Sequence, residues 1–374
     1  LRIIPDLRRL VALAAQPGWA WAPGDRYRQD GEPHGGCSRL LLQRLVDHAL
    51  GDGLEIKAAI EIEWVVSVGE GEDFVSAAPG AAYGMSRLIG VSDYVRDVVD
   101  SLSAQGITVD QFHPEYAAGQ LELSVAAEPP VDAADTSVLV RSTIRAVGRR
   151  YNYRTSFSPK VEAEGVGNGG HVHLSVWRDG ENLMTAGGGP YGLAPIGEAF
   201  ATGILTHLRA LLAVGAPSMT SYLRLIPSHW AGVYACWGLE NREAALRMIT
   251  GSTGSAEWAA NLEVKCLDLT ANPYLLLAGL LAAGLDGVAR GAPLPEPIDV
   301  DPAALTPEVL EERGIRRLPT SLRQSTDELA GDQVLRDGLG SALVDAVIAV
   351  RNSEIELFAD ATPEEVVRAQ RWTH

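Results

Sequence analysis

Residues 55–68 read Glu-Ile-Lys-Ala-Ala-Ile-Glu-Ile-Glu-Trp-Val-Val-Ser-Val. Such a β-branched, apolar run predicts one or two strands. Glu61 and Glu63 lie two apart within it, so a strand turns both carboxylates to one face. Neighbouring carboxylates repel, and burying them is costly unless a cation sits between them. Taken alone, the pair also suits a solvent-facing strand edge. The apolar flanks Ile60, Ile62, Trp64 and Val65 shift the reading toward a metal site.

Outward from this stretch, the pattern alternates between strands and long helices. Helices are predicted over Ser38–Leu50 (Ser38 as N-cap), Ser92–Gln105, Asp135–Tyr151 and Ile196–Val214. Pro273–Arg290 reads as a buried helix, and two more follow over Gln333–Phe358 and Pro363–Trp372. Further strands are predicted over Gln120–Val125, Gly170–Trp177 and Asn261–Asp268. The first 35 residues read as irregular, with turn chemistry at 22–25 and 31–33. Strands separated by long helices point to a mixed α/β or α+β architecture. At roughly 150 residues per domain, 374 residues suggest two or three domains, or one large domain with a smaller partner.

Composition narrows the function. With 46% hydrophobic residues a core is available and general disorder is excluded. A net charge of −17 argues against nucleic acid and anionic membranes as partners. Cys37, Cys236 and Cys266 form neither a disulfide framework nor a zinc pattern, which fits a reducing, cytoplasmic setting. The apolar run from Tyr274 to Leu285 is too short to span a bilayer. No signal peptide is evident, and a chain opening on Leu1 suggests a fragment of a longer one.

Several other constellations could carry chemistry. His171 and His173 share a strand face, as metal ligands or as satisfied structural histidines. Glu115 and Glu122 flank a segment containing Gly119, which permits a bend returning both acids to one locus. Glu263 and Lys265 suit a functional pair or a cross-strand ion pair. Residues 165–170, Gly-Val-Gly-Asn-Gly-Gly, satisfy a dinucleotide fingerprint literally, but a strand follows where a helix is required. They are read instead as a loop whose backbone can approach a ligand closely. Arg224, Arg242 and Arg247 sit in or near apolar stretches, as anion-binding groups or ordinary salt-bridge partners. No nucleophile elbow, phosphate-binding P-loop or convincing Cys–His pairing is present.

Six segments together resemble the glutamine synthetase family, in the family's order and across nearly the whole chain. They are EIEW at 61–64, EYAAGQLEL at 115–123, SPK at 158–160 with NGGHVHLS at 168–175, RLIPSHWAG at 224–232, NREAALR at 241–247, and EVKCLDLTANPYLLLAGLLAAGLDG at 263–287. The resemblance implies an α+β fold: a catalytic domain of antiparallel sheet with flanking helices over residues 36–374. Residues 1–35 would be the end of a small N-terminal β-grasp domain. It implies an ATP-dependent ligase that phosphorylates the γ-carboxylate of glutamate and lets an amine displace the phosphate. Two divalent ions, Mg2+ or Mn2+, suit the hard oxygen ligands and the single imidazole. Glu63, Glu115 and Glu122 would hold one ion, and Glu61, His171 and Glu263 the other. Arg224 and Gly167 would meet glutamate. His173, Ser175, Arg242 and Arg247 would meet ATP, with Arg242 and Lys265 catalytic. A homo-oligomer is implied, a dodecamer of two stacked hexameric rings, with active sites between neighbouring subunits.

Departures from the family pattern point to a subfamily. Lys265 stands where arginine is usual, keeping the charge but losing the bidentate fork. Val166 replaces an asparagine of the glycine loop, and no tyrosine matches the usual adenylylation site around 301–305. Trp230 replaces a flap glutamate that attends the ammonium ion. An indole offers no oxygen acceptor, but its face can hold a cation and a methylene chain. The chain therefore most resembles the γ-glutamyl amine ligases, and among them the γ-glutamylpolyamine synthetases of actinobacteria. The competing readings are a ligase for another amine such as ethanolamine, a true glutamine synthetase using ammonium, a non-catalytic family member, and a two-metal hydrolase.

Overall fold

The computed structural model describes residues 1–374. Residues 55–68 form two strands, Glu55–Ile60 and Ile62–Val68, and these belong to different sheets. Ile60 pairs with Val172, whereas Ile62 pairs with Leu123. Glu61 is the residue at which the chain changes sheet, with its N–H bonded to the His171 carbonyl at 2.9 Å.

The larger sheet has seven strands. Its path runs Glu181–Asn182, Val172–Arg178, Asn261–Val264, Ala244–Ile249, Tyr234–Leu239 and Arg316–Arg317, and Glu55–Ile60 pairs with Val172–Arg178 off that path. The smaller sheet has four strands, ordered Val109–Pro114, Gln120–Val125, Ile62–Val68 and Tyr153–Ser156. Pairing is antiparallel apart from Tyr234–Leu239 beside Ala244–Ile249, which is parallel. That pair needs a tight return over 240–243. Glu240 adopts φ 50°, and Asn241 donates to the carbonyls of Ile298 and Val300 at 2.8 and 2.9 Å.

Helices enclose the sheets. Pro195–Gly215 packs on Pro273–Arg290, with Leu322–Gly331 and Gln333–Leu339 beside them. Glycine sets the distance of the first pair: a Cβ on Gly203 would lie 2.1 Å from the Ala283 carbonyl and 2.8 Å from Gly287 Cα. The Pro273–Arg290 helix is long and apolar enough to cross a membrane by composition, yet 72% of it is buried inside the fold.

Local expectations need five corrections. Ser38 is not the N-cap; the helix Ser38–Gly51 is capped by Cys37, whose Sγ accepts the Arg26 N–H at 3.3 Å. The helix expected from Asp135 begins at Pro130, whose missing N–H suits a first turn. The strand expected over Asn261–Asp268 ends at Val264, because Arg224 and Gly170 take the next carbonyls. Gly340, at φ 89°, divides the expected helix Gln333–Phe358 into Gln333–Leu339 and Ser341–Leu357. Residues 1–35 are not irregular: Arg2–Pro5 pairs with Gly24–Tyr27, and Val11–Ala12 with Ala20–Trp21.

Candidate active site

The seam between the two sheets opens into a cavity of about 960 Å³. Strand register assembles one row of titratable side chains in each sheet. In the smaller sheet Glu122 stands between Glu63 on one neighbour and His113 on the other. In the larger sheet Glu263 stands between His173 and Arg247. Side chains directly opposite on adjacent strands meet across the ladder. Glu61, at the sheet change, touches both rows.

Two groups of donor atoms follow. Glu61, His171 and Glu263 bring their ligand atoms within 4.8 Å of one another. His171 Nδ1 lies 2.9 Å from Glu61 and 3.2 Å from Glu263. His113, Glu115 and Glu122 form the second group, with His113 Nε2 3.0 Å from Glu122 and Nδ1 3.3 Å from Glu115. This second set differs from the expected Glu63, Glu115 and Glu122. Glu63 lines the same cavity, but its Oε2 accepts from Gln120 Nε2 and the Gly169 N–H, each at 2.9 Å. Sequence reasoning missed His113. The signal available was its place two residues before Glu115, which strand alternation turns to the same side.

Electrostatics favour a cation here. Burial, the Glu61 hydrogen bond and the charges of Glu61, Glu63 and Glu115 push the Glu122 carboxyl far above the carboxylate range. Glu61 is held low despite burial, by His171, Glu122 and His173. Glu122 thus keeps the proton of this pair. Burial opposes charging of His173, but Glu61 and Glu263 outweigh it and raise the imidazole to about 9. Crowded acids that need a proton to coexist, next to an imidazole, form a donor set that fits divalent cations.

Cationic side chains surround the acids. Lys265 Nζ bonds Glu263 at 3.1 Å, an ion pair within one segment rather than across strands. Arg247 reaches Glu263 at 3.2 Å and also contacts Glu240. Arg242 is exposed at the cavity wall. Arg224 is buried; its guanidinium donates to the Leu267 and Lys265 carbonyls at 3.1 Å and lies 3.2 Å from His171 Nε2. These partners are not carboxylates, so its charge is left for another anion. A Cβ on Gly167 would fall 2.0 Å from the Pro159 carbonyl, so only glycine lets the loop run here. His173 Nε2 turns to Glu61 at 3.4 Å, while its Nδ1 faces Asn261 at 2.9 Å. Ser175 Oγ accepts from Trp177 Nε1 at 2.8 Å. Trp230 lines the other end, with its ring centroid 5.3 Å from that of Tyr116.

Residues 35–369 match the family description "Glutamine synthetase, catalytic domain". The chain belongs to the glutamine synthetase family. Among curated relatives, a gamma-glutamylpolyamine synthetase, GlnA3, of Streptomyces coelicolor is 54% identical over all of this chain and 81% of its own. A glutamine synthetase of Methanocaldococcus jannaschii is 31% identical over 96% of this chain and 80% of its own. A crystal structure of a glutamine synthase homologue superposes with TM-score 0.87 at 34% identity, covering 98% of this chain and 83% of that one. The glutamine synthetase family is one of ligases using ATP and divalent metals, consistent with the acid and imidazole groups at the seam.

Proposed function

We propose that the protein joins the γ-carboxylate of glutamate to an amine at the expense of ATP, through a γ-glutamyl phosphate, and that the amine is a polyamine. The observation that carries this reading is the seam itself: two donor groups for divalent ions, ringed by Arg224, Arg242, Arg247 and Lys265, beside an aromatic acceptor end. A polyamine as acceptor follows from Trp230 in place of a carboxylate and from the relative named gamma-glutamylpolyamine synthetase. The acidic chain, at −17, suits a polycation.

Glu61, His171 and Glu263 would hold one ion, and Glu115 and Glu122 the other, with Glu63 and His113 beside it. Mg2+ or Mn2+ bound there would neutralise converging phosphate and carboxylate charges. Arg224 binds the glutamate end, where Gly167 permits close approach. Arg242 and Arg247 face the phosphates, and His173 and Ser175 the nucleotide side. Lys265, held by Glu263, presents one compact charge to the transferring phosphoryl group. Glu115 stands at the acceptor end to take a proton from the attacking amine.

The assembly is read as a ring of copies, supported by exposed Ile3, Leu7 and Trp19 in residues 1–35, which we assign to the end of a separate N-terminal domain. The buried free cysteines suit a reducing, cytoplasmic setting. Glu263→Ala tests the metal assignment. It should lower amine-dependent phosphate release by more than about 100-fold and weaken Mn2+ binding; near-normal values of both would remove it.

A further inference from the structure

We infer that Tyr83, Tyr116 and Trp230 form one aromatic wall that takes the methylene stem of the acceptor amine, with Tyr116 as its specificity-determining residue. The inference rests on the ligase reading above and names how its acceptor is chosen. The ring centroids are 6.4 Å apart for Tyr83 and Tyr116 and 5.3 Å for Tyr116 and Trp230. All three line the cavity, and each keeps 41–54% of its surface exposed. Three half-exposed aromatic rings in contact are an apolar surface awaiting a ligand.

The wall is fixed on both sides. Buried Arg87 donates to the carbonyls of Glu115, Tyr116 and Ala117 at 2.6, 3.2 and 2.7 Å, clamping the turn that carries Tyr116. Trp230 is held at φ 57°, a conformation uncommon for a bulky residue, by its N–H bond to Glu243 at 2.8 Å. At the base of the wall Glu115 accepts the Tyr116 N–H at 3.0 Å and lines the same cavity as Tyr83. A carboxylate at the foot of an aromatic wall matches a primary ammonium carried on an alkyl chain. The head meets Glu115 and the stem lies along the rings, where cation–π attraction and methylene burial both act. Each methylene withdrawn from water is worth roughly a factor of four in affinity. An ammonium ion has no methylene stem to bury against the wall, so it gains only the cation–π part.

The test is steady-state kinetics of the full chain with saturating glutamate and MgATP and varied putrescine or spermidine. Tyr116→Ala should raise the amine KM about tenfold, with kcat lowered less than twofold and the KM for ATP within twofold. Tyr116→Phe, which keeps the ring, should stay near wild type. Unchanged amine KM in Tyr116→Ala, or a loss confined to kcat, overturns the inference. If Tyr116→Ala does not fold, Tyr116→Leu decides by the same KM criterion. The wild-type arm separates this from failure of the function itself: no turnover with either polyamine overturns the polyamine-acceptor reading before any variant is made.

Discussion

At the residue scale, the seam is a cluster of acids with too few cations. Glu122 is pushed above neutral pH by burial and by Glu61, Glu63 and Glu115, so the metal-free protein carries a proton there at pH 7.5. His171 is raised too: burial and Lys265 oppose its protonation, but Glu61 and Glu263 outweigh them. Ligands must give up these protons to bind a metal. Mn2+ or Mg2+ binding at pH 7.5 should therefore release at least about one proton, and affinity should rise about tenfold per pH unit for each proton released. Calorimetry in two buffers of different ionisation enthalpy measures this; identical enthalpies would contradict it. Much of this site was legible in sequence. Glu61, His171 and Glu263 are grouped by the family resemblance rather than by any local pattern, since they come from three separate segments, and the structure brings their ligand atoms within 4.8 Å. His113 was missed although it lies two residues before Glu115; its place beside Glu122 comes from pairing between strands, which one strand's pattern does not reveal.

At the scale of elements, the decisive feature is the change of sheet at Glu61. An unbroken run at 55–68 signals strand content but not that its halves pair with different partners. The long helices were readable to within a few residues, apart from the tail, where Gly340 breaks the periodicity. Close helix approach was not readable at all. Gly203 meets Gly287 backbone to backbone, so Gly203→Val forces Pro195–Gly215 off Pro273–Arg290. We expect a loss of at least about 1–3 kcal/mol, seen as a lower urea midpoint. Unchanged stability would show that the helices separate freely.

At the scale of the whole molecule, buried Arg39 ties residues 1–35 to the rest. It bonds Asp6 at 3.1 Å and Asp25 at 3.0 Å in the N-terminal segment, and Asp135 at 2.9 Å in the helix Pro130–Arg150. Tyr274 adds a hydrogen bond to Asp135 at 2.6 Å. Removing one partner of a buried ion cluster leaves uncompensated charge, so Arg39→Ala should cost about 3–5 kcal/mol. It should also expose residues 1–35 to protease. A melting temperature and digestion pattern equal to wild type would dismiss the clamp. Sequence showed none of this, because Asp6, Asp25 and Asp135 are too widely spaced along the chain to form a local motif.

The most direct test of glutamate–polyamine ligation is phosphate release with ATP, Mg2+ and glutamate, comparing putrescine, spermidine, spermine, ethanolamine and ammonium, with the product mass confirmed. Strong release with a polyamine, little with ammonium and a γ-glutamylpolyamine mass is the expected result. Release with ammonium alone, yielding glutamine, would contradict it.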